Sequence, residues 1–437
     1  MQLTKSGTIA QALAGATCAL LGLNTQAGEP GSWDFDTAVL YYGEDNGRVQ
    51  ALEPVVAATR YFADEQQLGI KLTLDSLTGA SPNGATPSDQ PQTFTRPSGK
   101  GSYTIAPGEA PLDDTFKDTR GALNLNWSSP INSDWRYSTG FNFSAEHDYF
   151  SAGLNGSITR YLNDKNTELT LGLAAASDSV KPEGGVPKGL GRVANPGKAN
   201  FWPSFEATRQ GDSDSKTLTD VLLGVTQVIN KRTIMQFNYS LSSSSGYLTD
   251  PYKLLSVIDA TTGKTAVDVS GAPIYVYEQR PDSRTKHAFF WQTKYMLERG
   301  DVIDGSYRFM TDDWGVTSHT IDLKYHWQLD HAYLEPHLRY YLQSEADFYH
   351  RYALSTDYDS ATQTLKLSDA SADYRLGELT GTTIGLKYAR QFNQQEFSVR
   401  AEYFLQSNSG DEGIGALANQ DLYPDTKAVM FTLGYSF

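Results

Sequence analysis

The nine residues Val429–Phe437 read VMFTLGYSF, and apolar side chains alternate with small or polar ones along them. Successive side chains of a β-strand point to opposite faces, so this period of two predicts a strand. One face suits hydrocarbon and the other suits water, as in a membrane β-barrel. A soluble β-sandwich also contains alternating strands, but it rarely ends on an aromatic residue. Phe437 resembles the assembly signal of outer-membrane barrels, so we expect the barrel-assembly machinery to contact it.

The same alternation recurs along the chain, for example in 135–144, 235–242 and 396–405. Segments of about ten residues are long enough to cross a bilayer at a tilt. After the first thirty positions no run of about eighteen apolar residues occurs, which excludes a helical membrane protein. We predict sixteen strands: 33–43, 49–62, 68–76, 115–128, 134–146, 149–162, 167–178, 216–229, 233–245, 284–297, 302–312, 316–329, 333–344, 377–391, 396–407 and 425–437.

The lengths of the predicted connections support a barrel. Every even-numbered strand is followed by a short link, whereas all five long links follow odd-numbered strands: 77–114, 179–215, 246–283, 345–376 and 408–424. One end of the sheet therefore has only tight turns, and the other end has every extended loop. Bacterial barrels have periplasmic turns and extracellular loops. The sequence predicts an all-β, transmembrane, antiparallel up-and-down barrel of about sixteen strands around a polar, water-filled lumen.

The first residues predict an exported protein. Lys5 precedes the apolar and small-residue run 9–23, and Thr25-Gln26-Ala27 suits a cleavage site. We predict a signal peptide over 1–27 and a barrel domain over 28–437; the alternative is a short buried helix. Cys18, the one cysteine, lies in this leader, so the mature chain would have neither a disulfide nor a thiolate metal site. The expected location is the cell outer membrane of a Gram-negative bacterium, in contact with lipid and lipopolysaccharide.

The composition agrees with that location. The chain has 437 residues, a formal charge of −15, a pI of about 4.9 and a mean hydropathy of −0.45. An acidic chain is a poor match for nucleic acid, because phosphate binding needs a basic surface. Aromatic residues make up 12% of the chain, including 26 tyrosines. This abundance is typical of the aromatic girdles of a membrane barrel.

Charged residues concentrate on one predicted inner wall. A two-residue turn at Asp330-His331 would set Asp322 opposite Arg339 and His326 opposite Glu335, both complementary pairs. The wall has two interpretations: a selectivity constriction, or charges that neutralise each other and brace the barrel. The residues predicted to line the lumen are Lys286, Lys294, Asp304, Arg308, Asp322, Lys324, His326, Glu335, His337 and Arg339.

Neither a catalytic signature nor a cofactor-binding motif is present in the sequence. His326 and His337 with Glu335 form a conceivable two-histidine, one-carboxylate metal site, but ordinary hydrogen bonding explains them better. We therefore predict no catalytic residue, no metal and no cofactor. The rim carries the alternative candidates for a hydrolase, which are Glu146-His147-Asp148 and Asp347 with His350.

Four segments carry a resemblance to a known family: Glu53-Pro54, the stretch Asp75–Ala85, the stretch Gly246–Lys253, and Glu335–Tyr341 with Gln343–Tyr349. They resemble the domain of unknown function 3570 family of bacterial outer-membrane proteins, over nearly the whole mature chain. The resemblance implies a barrel but supplies no activity. It also implies a connection with periplasmic redox proteins, of the thioredoxin-like and flavin-transferase kinds.

Three functions follow as hypotheses. The first is a porin-like channel for small polar solutes or ions, because about sixteen strands enclose a lumen that side chains alone do not fill. The second is an envelope scaffold or conduit that works with periplasmic redox or metal-handling partners. The third is a hydrolase at the rim of the barrel.

Overall fold

The computed structural model describes residues 29–196 and 200–437, so the predicted signal peptide 1–27 lies outside the described residues. Sixteen antiparallel strands form one closed barrel, as predicted. They are β1 Trp33–Glu44, β2 Val49–Tyr61, β3 Gln67–Pro82, β4 Leu112–Asn132, β5 Trp135–Ala145, β6 Tyr149–Leu162, β7 Thr167–Val180, β8 Asp214–Asn230, β9 Thr233–Gly246, β10 Ser283–Met296, β11 Val302–Asp312, β12 Thr317–Gln328, β13 Ala332–Gln343, β14 Glu378–Phe392, β15 Gln395–Ser409 and β16 Thr426–Ser436.

The strands pair with their neighbours in chain order, and β16 pairs with β1 to close the cylinder. The closing register runs from Asp36 opposite Ser436 to Glu44 opposite Ala428. Closure leaves no free sheet edge, which a bilayer requires because hydrocarbon cannot satisfy unpaired backbone groups. Strands β3 and β4 are longer than predicted, since their ladder continues past a register shift to Ser81 opposite Asp113.

The outer face of the barrel is apolar. Phe431 and Leu433 are 48% and 51% exposed, whereas Met430, the residue before Phe431, is buried on the inner face. Other strands show the same alternation of outward apolar side chains, and Phe141 and Leu154 are exposed in the same way. A continuous apolar exterior is stable only against hydrocarbon, so these strands span a membrane.

Five long loops leave the same end of the barrel: 83–111, 181–213, 247–282, 344–377 and 410–425. They contain short elements of their own, including the hairpin Gln92–Thr95 with Ser102–Ile105 and helix α1, Phe201–Ala207. No helix among the described residues has the length and apolar character needed to cross a bilayer. We call the described parts of these loops together the loop cap.

The loop cap has a hydrophobic core built from separate loops. Leu255, Val257 and Val276 of the β9–β10 loop are fully buried, and Leu190 and Ala353 come from two other loops. A parallel pairing of Val257 with Ala353 links the β9–β10 and β13–β14 loops. The loops therefore pack as a small folded unit rather than as separate excursions.

Candidate functional site: inner wall and loop cap

All ten residues predicted to line the lumen lie at inward positions of β10–β13. Their chain neighbours, such as Ile321 and Leu323 on β12, are exposed on the outer face. Register pairs the charges across strands: Asp304 lies opposite both Lys294 and Lys324, and Lys324 lies opposite His337. The turn between β12 and β13 is the predicted one, because the backbone N–H of Leu329 donates to the carbonyl of Ala332 (2.8 Å).

His337 contacts two carboxylates of the inner wall at once. Its Nε2 lies 3.0 Å from Asp322 Oδ2, and its Nδ1 lies 2.7 Å from Glu402 Oε1. Both ring nitrogens therefore face carboxylates, one on the adjacent β12 and one on β15, beyond the intervening β14. His326 instead approaches Glu335, with Nδ1 and Oε2 3.8 Å apart. The two histidines do not share a ligand geometry, so the alternative metal site with Glu335 is not formed.

Asp322 and Arg339 are register partners, as predicted, but their side chains do not form an ion pair. The Asp322 carboxylate contacts His337 and, at 3.4 Å, Lys324 Nζ. Lys324 and His337 contact Asp322, and Arg339 stays exposed on the inner wall, as does Arg308. Water therefore reaches charged groups inside the barrel.

Two further strands add charges that the sequence prediction left out. Arg400 Nη2 lies 2.9 Å from Glu335 Oε1, and Lys387 Nζ lies 3.4 Å from Glu396 Oε1. The alternation of 396–405 already placed Arg400 inward. The contact with Glu335 could not be predicted, because it spans β13 and β15 across the intervening β14. We call the inward charged residues of β10–β15 the charged wall.

The opposite side of the lumen has a different charge balance. Strands eight apart face each other in a closed sixteen-stranded barrel, so β1–β4 lie across from β9–β12. The described inward positions of β1–β4 include more carboxylates than cations: Asp34, Asp36, Glu44, Glu53, Asp75 and Asp118 against Lys71 and Arg120. On β10–β12, the part of the charged wall that faces these strands, cations exceed carboxylates. The lumen therefore lies between walls of opposite net charge, which would produce a transverse field.

The loop cap extends across the mouth of the barrel. The Lys253 ammonium, in the β9–β10 loop, donates to the carbonyl of Pro82 at the end of β3, nearly on the opposite side. Arg351 of the β13–β14 loop donates from Nη1 to the carbonyl of Gly84 and from Nε to that of Leu422, both at 2.8 Å. Contacts between loops from opposite sides require the chain to cross the opening.

Close backbone packing joins these loops. Gly84 has a φ of +97°, and a Cβ built there would lie 2.4 Å from the carbonyl oxygen of Leu254. Only glycine adopts this conformation readily and leaves room for the neighbouring backbone. The resembling stretches Asp75–Ala85 and Gly246–Lys253 therefore meet in the loop cap.

A buried cluster of six charges holds two of the loops together. Arg375 Nε donates to both Asp373 carboxylate oxygens at 2.8 Å, and Arg280 Nη2 donates to Asp373 Oδ2 at 2.8 Å. Three cations balance three carboxylates, so the cluster is neutral. We call it the cap ion cluster; its members are Asp250, Lys253, Glu278, Arg280, Asp373 and Arg375.

Burial and pairing act in opposite directions on the carboxyl groups of this cluster. Burial raises the pKa of Asp250, but Lys253, Arg375 and Arg280 outweigh it and lower the value to about 2. Burial raises the pKa of Glu278 and lowers that of Lys253. Removing one partner would leave an uncompensated buried charge, which is strongly destabilising.

A cavity of about 470 Å³ lies between the loop cap and the loop ends of β3–β6. The rim residues Glu146 and Asp148 line it together with Asp118, and single oxygens of these three carboxylates lie within 4.8 Å of one another. Among the described residues, this is the one group of three with spacing suited to a metal ion. Asp148 also accepts a hydrogen bond from the Tyr252 hydroxyl (2.5 Å), which ties the cavity wall to the β9–β10 loop.

The other rim candidates lie in the β13–β14 loop. Asp347 is exposed, and its backbone N–H donates to the carbonyl of Trp314 (2.8 Å). The backbone N–H of His350 donates to the carbonyl of Ser371 (2.9 Å). Both contacts are backbone hydrogen bonds that hold the β13–β14 loop. A hydrolase at the rim of the barrel stays a prediction from the sequence.

These features define a class: a sixteen-stranded transmembrane β-barrel with a charged inner wall and a folded cap over one mouth. The family described as "Protein of unknown function (DUF3570)" matches residues 10–437, and the chain belongs to that family. A search of curated proteins finds no match.

The solved structures that resemble this chain are distant in sequence. A bacterial polysaccharide outer membrane secretin is 8% identical, with a TM-score of 0.41, over 93% of this chain and 99% of that one. CdiB from Acinetobacter baumannii is 7% identical, with a TM-score of 0.45, over 93% and 60%. The siderophore receptor PirA from Pseudomonas aeruginosa is 7% identical, with a TM-score of 0.38, over 87% and 57%. This chain thus spans less than two thirds of the last two proteins.

Proposed function

We propose that the protein is a channel of the Gram-negative outer membrane for small polar solutes or ions, with access through one mouth controlled by the loop cap. The observation that carries the proposal is the exposure of Arg308 and Arg339 on the inner wall. Long cationic side chains remain hydrated there because the wall encloses water rather than packed aliphatic groups. A hydrated, charged passage through an apolar cylinder is what conduction of polar solutes requires.

In this proposal the turns face the periplasm and the loop cap faces outward, following the polarity of bacterial barrels. Lipid and lipopolysaccharide surround the apolar exterior. The unequal charges of the two facing walls would orient dipolar solutes and separate cations from anions along different sides of the lumen. An envelope scaffold with periplasmic redox or metal-handling partners stays a prediction of the sequence.

Planar-bilayer recordings of the purified protein test the proposal. We expect discrete conductance steps and an ion selectivity that shifts toward cations in Arg339→Glu, because the reversal adds a carboxylate at an exposed inner position. The matched control is Arg390→Glu, since Arg390 lies on the outer face of β14, with its guanidinium 5.0 Å from the centroid of the Phe392 ring. The control should keep the wild-type reversal potential.

Absence of conductance from folded protein would contradict the channel, provided that a variant with an opened loop cap is also silent. An equal shift of reversal potential in both variants would show that the effect comes from net charge and not from the lumen. Heat-modifiable mobility in a denaturing gel confirms folding of each variant.

A further inference from the structure

The outer face of the barrel has an apolar groove. A concavity of about 730 Å³ crosses the strands from β5 to β11 on the lipid side, with exposed apolar side chains along its length. A volume of this size is typical of small-molecule sites. The side chains that form its floor and walls include Leu169, Leu223, Val225, Phe237, Phe289 and Trp291.

The groove follows one row of register partners obliquely up the barrel. Arg160 lies opposite Leu169, which lies opposite Val225, and the row continues through Phe237 to Trp291. Arg160 is two residues from the turn end of β6, whereas Trp291 lies in the middle of β10. The groove therefore begins at the membrane boundary on the turn side and ends within the hydrocarbon region.

A cation stands at the boundary end of the groove. The exposed Arg160 guanidinium lies 5.2 Å from the centroid of the Trp135 ring, and both residues line the concavity. Tryptophan and arginine at this depth are suited to the headgroup layer. A guanidinium also binds phosphate oxygens with charge-assisted hydrogen bonds.

We propose that this groove is a binding site for one phospholipid, whose phosphate contacts Arg160 and whose acyl chain lies along the row toward Trp291. The proposal rests on the membrane location but not on channel activity. A phospholipid matches both ends of the groove. Its acyl chain would contact the apolar side chains, and its anionic headgroup would contact the Arg160 guanidinium. A second copy of the chain fits less well, since it would bury the Arg160 charge.

Native mass spectrometry of the detergent-purified protein with added phosphatidylglycerol tests the site. We expect one phospholipid to remain bound at low lipid concentration, and Arg160→Gln to weaken its affinity about tenfold through loss of the charged contact. The matched control is Arg390→Gln, because Arg390 is also outward, near a turn, and next to an aromatic ring, but lies outside the groove. This control should bind as tightly as the wild type.

Filling the groove provides a second, independent test. Leu223→Trp should reduce phospholipid retention, whereas Leu433→Trp on the outer face of β16 should leave it unchanged. Equal losses in the two arginine variants would overturn the proposal, because the contact would then be a general headgroup effect. Dimers that form at the groove in place of bound phospholipid would also overturn it. Channel recordings of Arg160→Gln should match the wild type, which separates this proposal from the channel.

Discussion

The barrel wall and the loop cap bury opposite kinds of surface. In the wall, apolar side chains such as Phe431 and Leu433 face outward and charged ones such as Arg339 face inward. In the loop cap, Leu255 and Val276 are fully buried inside, as in a soluble domain, and the buried charges are paired in the cap ion cluster. One chain therefore uses two solvents, hydrocarbon around the wall and water around the loop cap.

This difference separates the two parts energetically. The wall is held by a continuous ladder of backbone hydrogen bonds, which no single side chain controls. The loop cap depends on small hydrophobic clusters between loops and on the cap ion cluster, so a substitution in one of them can open it. If the loop cap controls access, variants should change conductance while the barrel stays folded. Three predictions follow from this contrast, from the largest expected effect to the smallest.

Leu255→Asp should open the loop cap. Leu255 is 0% exposed, and placing a carboxylate there costs at least about 4 kcal/mol, comparable to the stability of a small unit. We expect a several-fold larger conductance, faster trypsin cleavage within the loops, and unchanged heat-modifiable mobility of the barrel. The control is Val269→Asp in the same loop, because Val269 is 110% exposed. Loss of barrel folding in the first variant would contradict the independence of the two parts.

Asp373→Ala should destabilise the loop cap by about 3–5 kcal/mol, because Arg280 and Arg375 would remain largely buried without this carboxylate. Protease cleavage of the loops and conductance should both increase. Glu412→Ala removes an exposed carboxylate from the β15–β16 loop and should have no effect. If the two variants behave alike, the cap ion cluster does not hold the loops in place.

Acid should weaken the loop cap through Asp250, with a smaller effect of about 2 kcal/mol. The pKa of Asp250 is lowered to about 2. Its ionised carboxylate therefore stabilises the loop cap at pH values above the ordinary aspartate pKa near 4. That contribution is lost as the pH falls from about 4 toward 2. Glu278 acts in the opposite direction, because burial raises its pKa and protonation favours the folded state.

Urea titrations of the loop cap between about pH 7 and pH 3 measure this dependence. Asp250→Asn should lower stability at neutral pH and flatten the acid limb of the curve. Asp250 is the suitable residue, because its carboxylate accepts from Arg375 Nη2 at 2.8 Å. An acid limb as steep in the variant as in the wild type would assign the pH dependence to other groups.

Much of the wall could be predicted from local pattern alone. The alternation of Val429–Phe437 depends only on which solvent each face of the strand meets. It therefore also shows which side chains point outward and which point inward. The turn at Asp330-His331 then defined the register of β12 and β13. The predicted register of Asp322 opposite Arg339 is confirmed, but it did not give the side-chain contact, because side chains also reach partners diagonally and His337 contacts Asp322.

The sequence by itself determined the barrel: its sixteen strands, their inward and outward faces, and the end that has the long loops. These features follow from neighbouring residues, because a strand's period of two is local. Only the tertiary structure decided that the loops fold into one cap, that Arg375 meets Asp250 and Asp373, and that the outer face is grooved near Trp291. These contacts join residues far apart in the chain, through loops without a repeating pattern and through the curvature of the closed sheet.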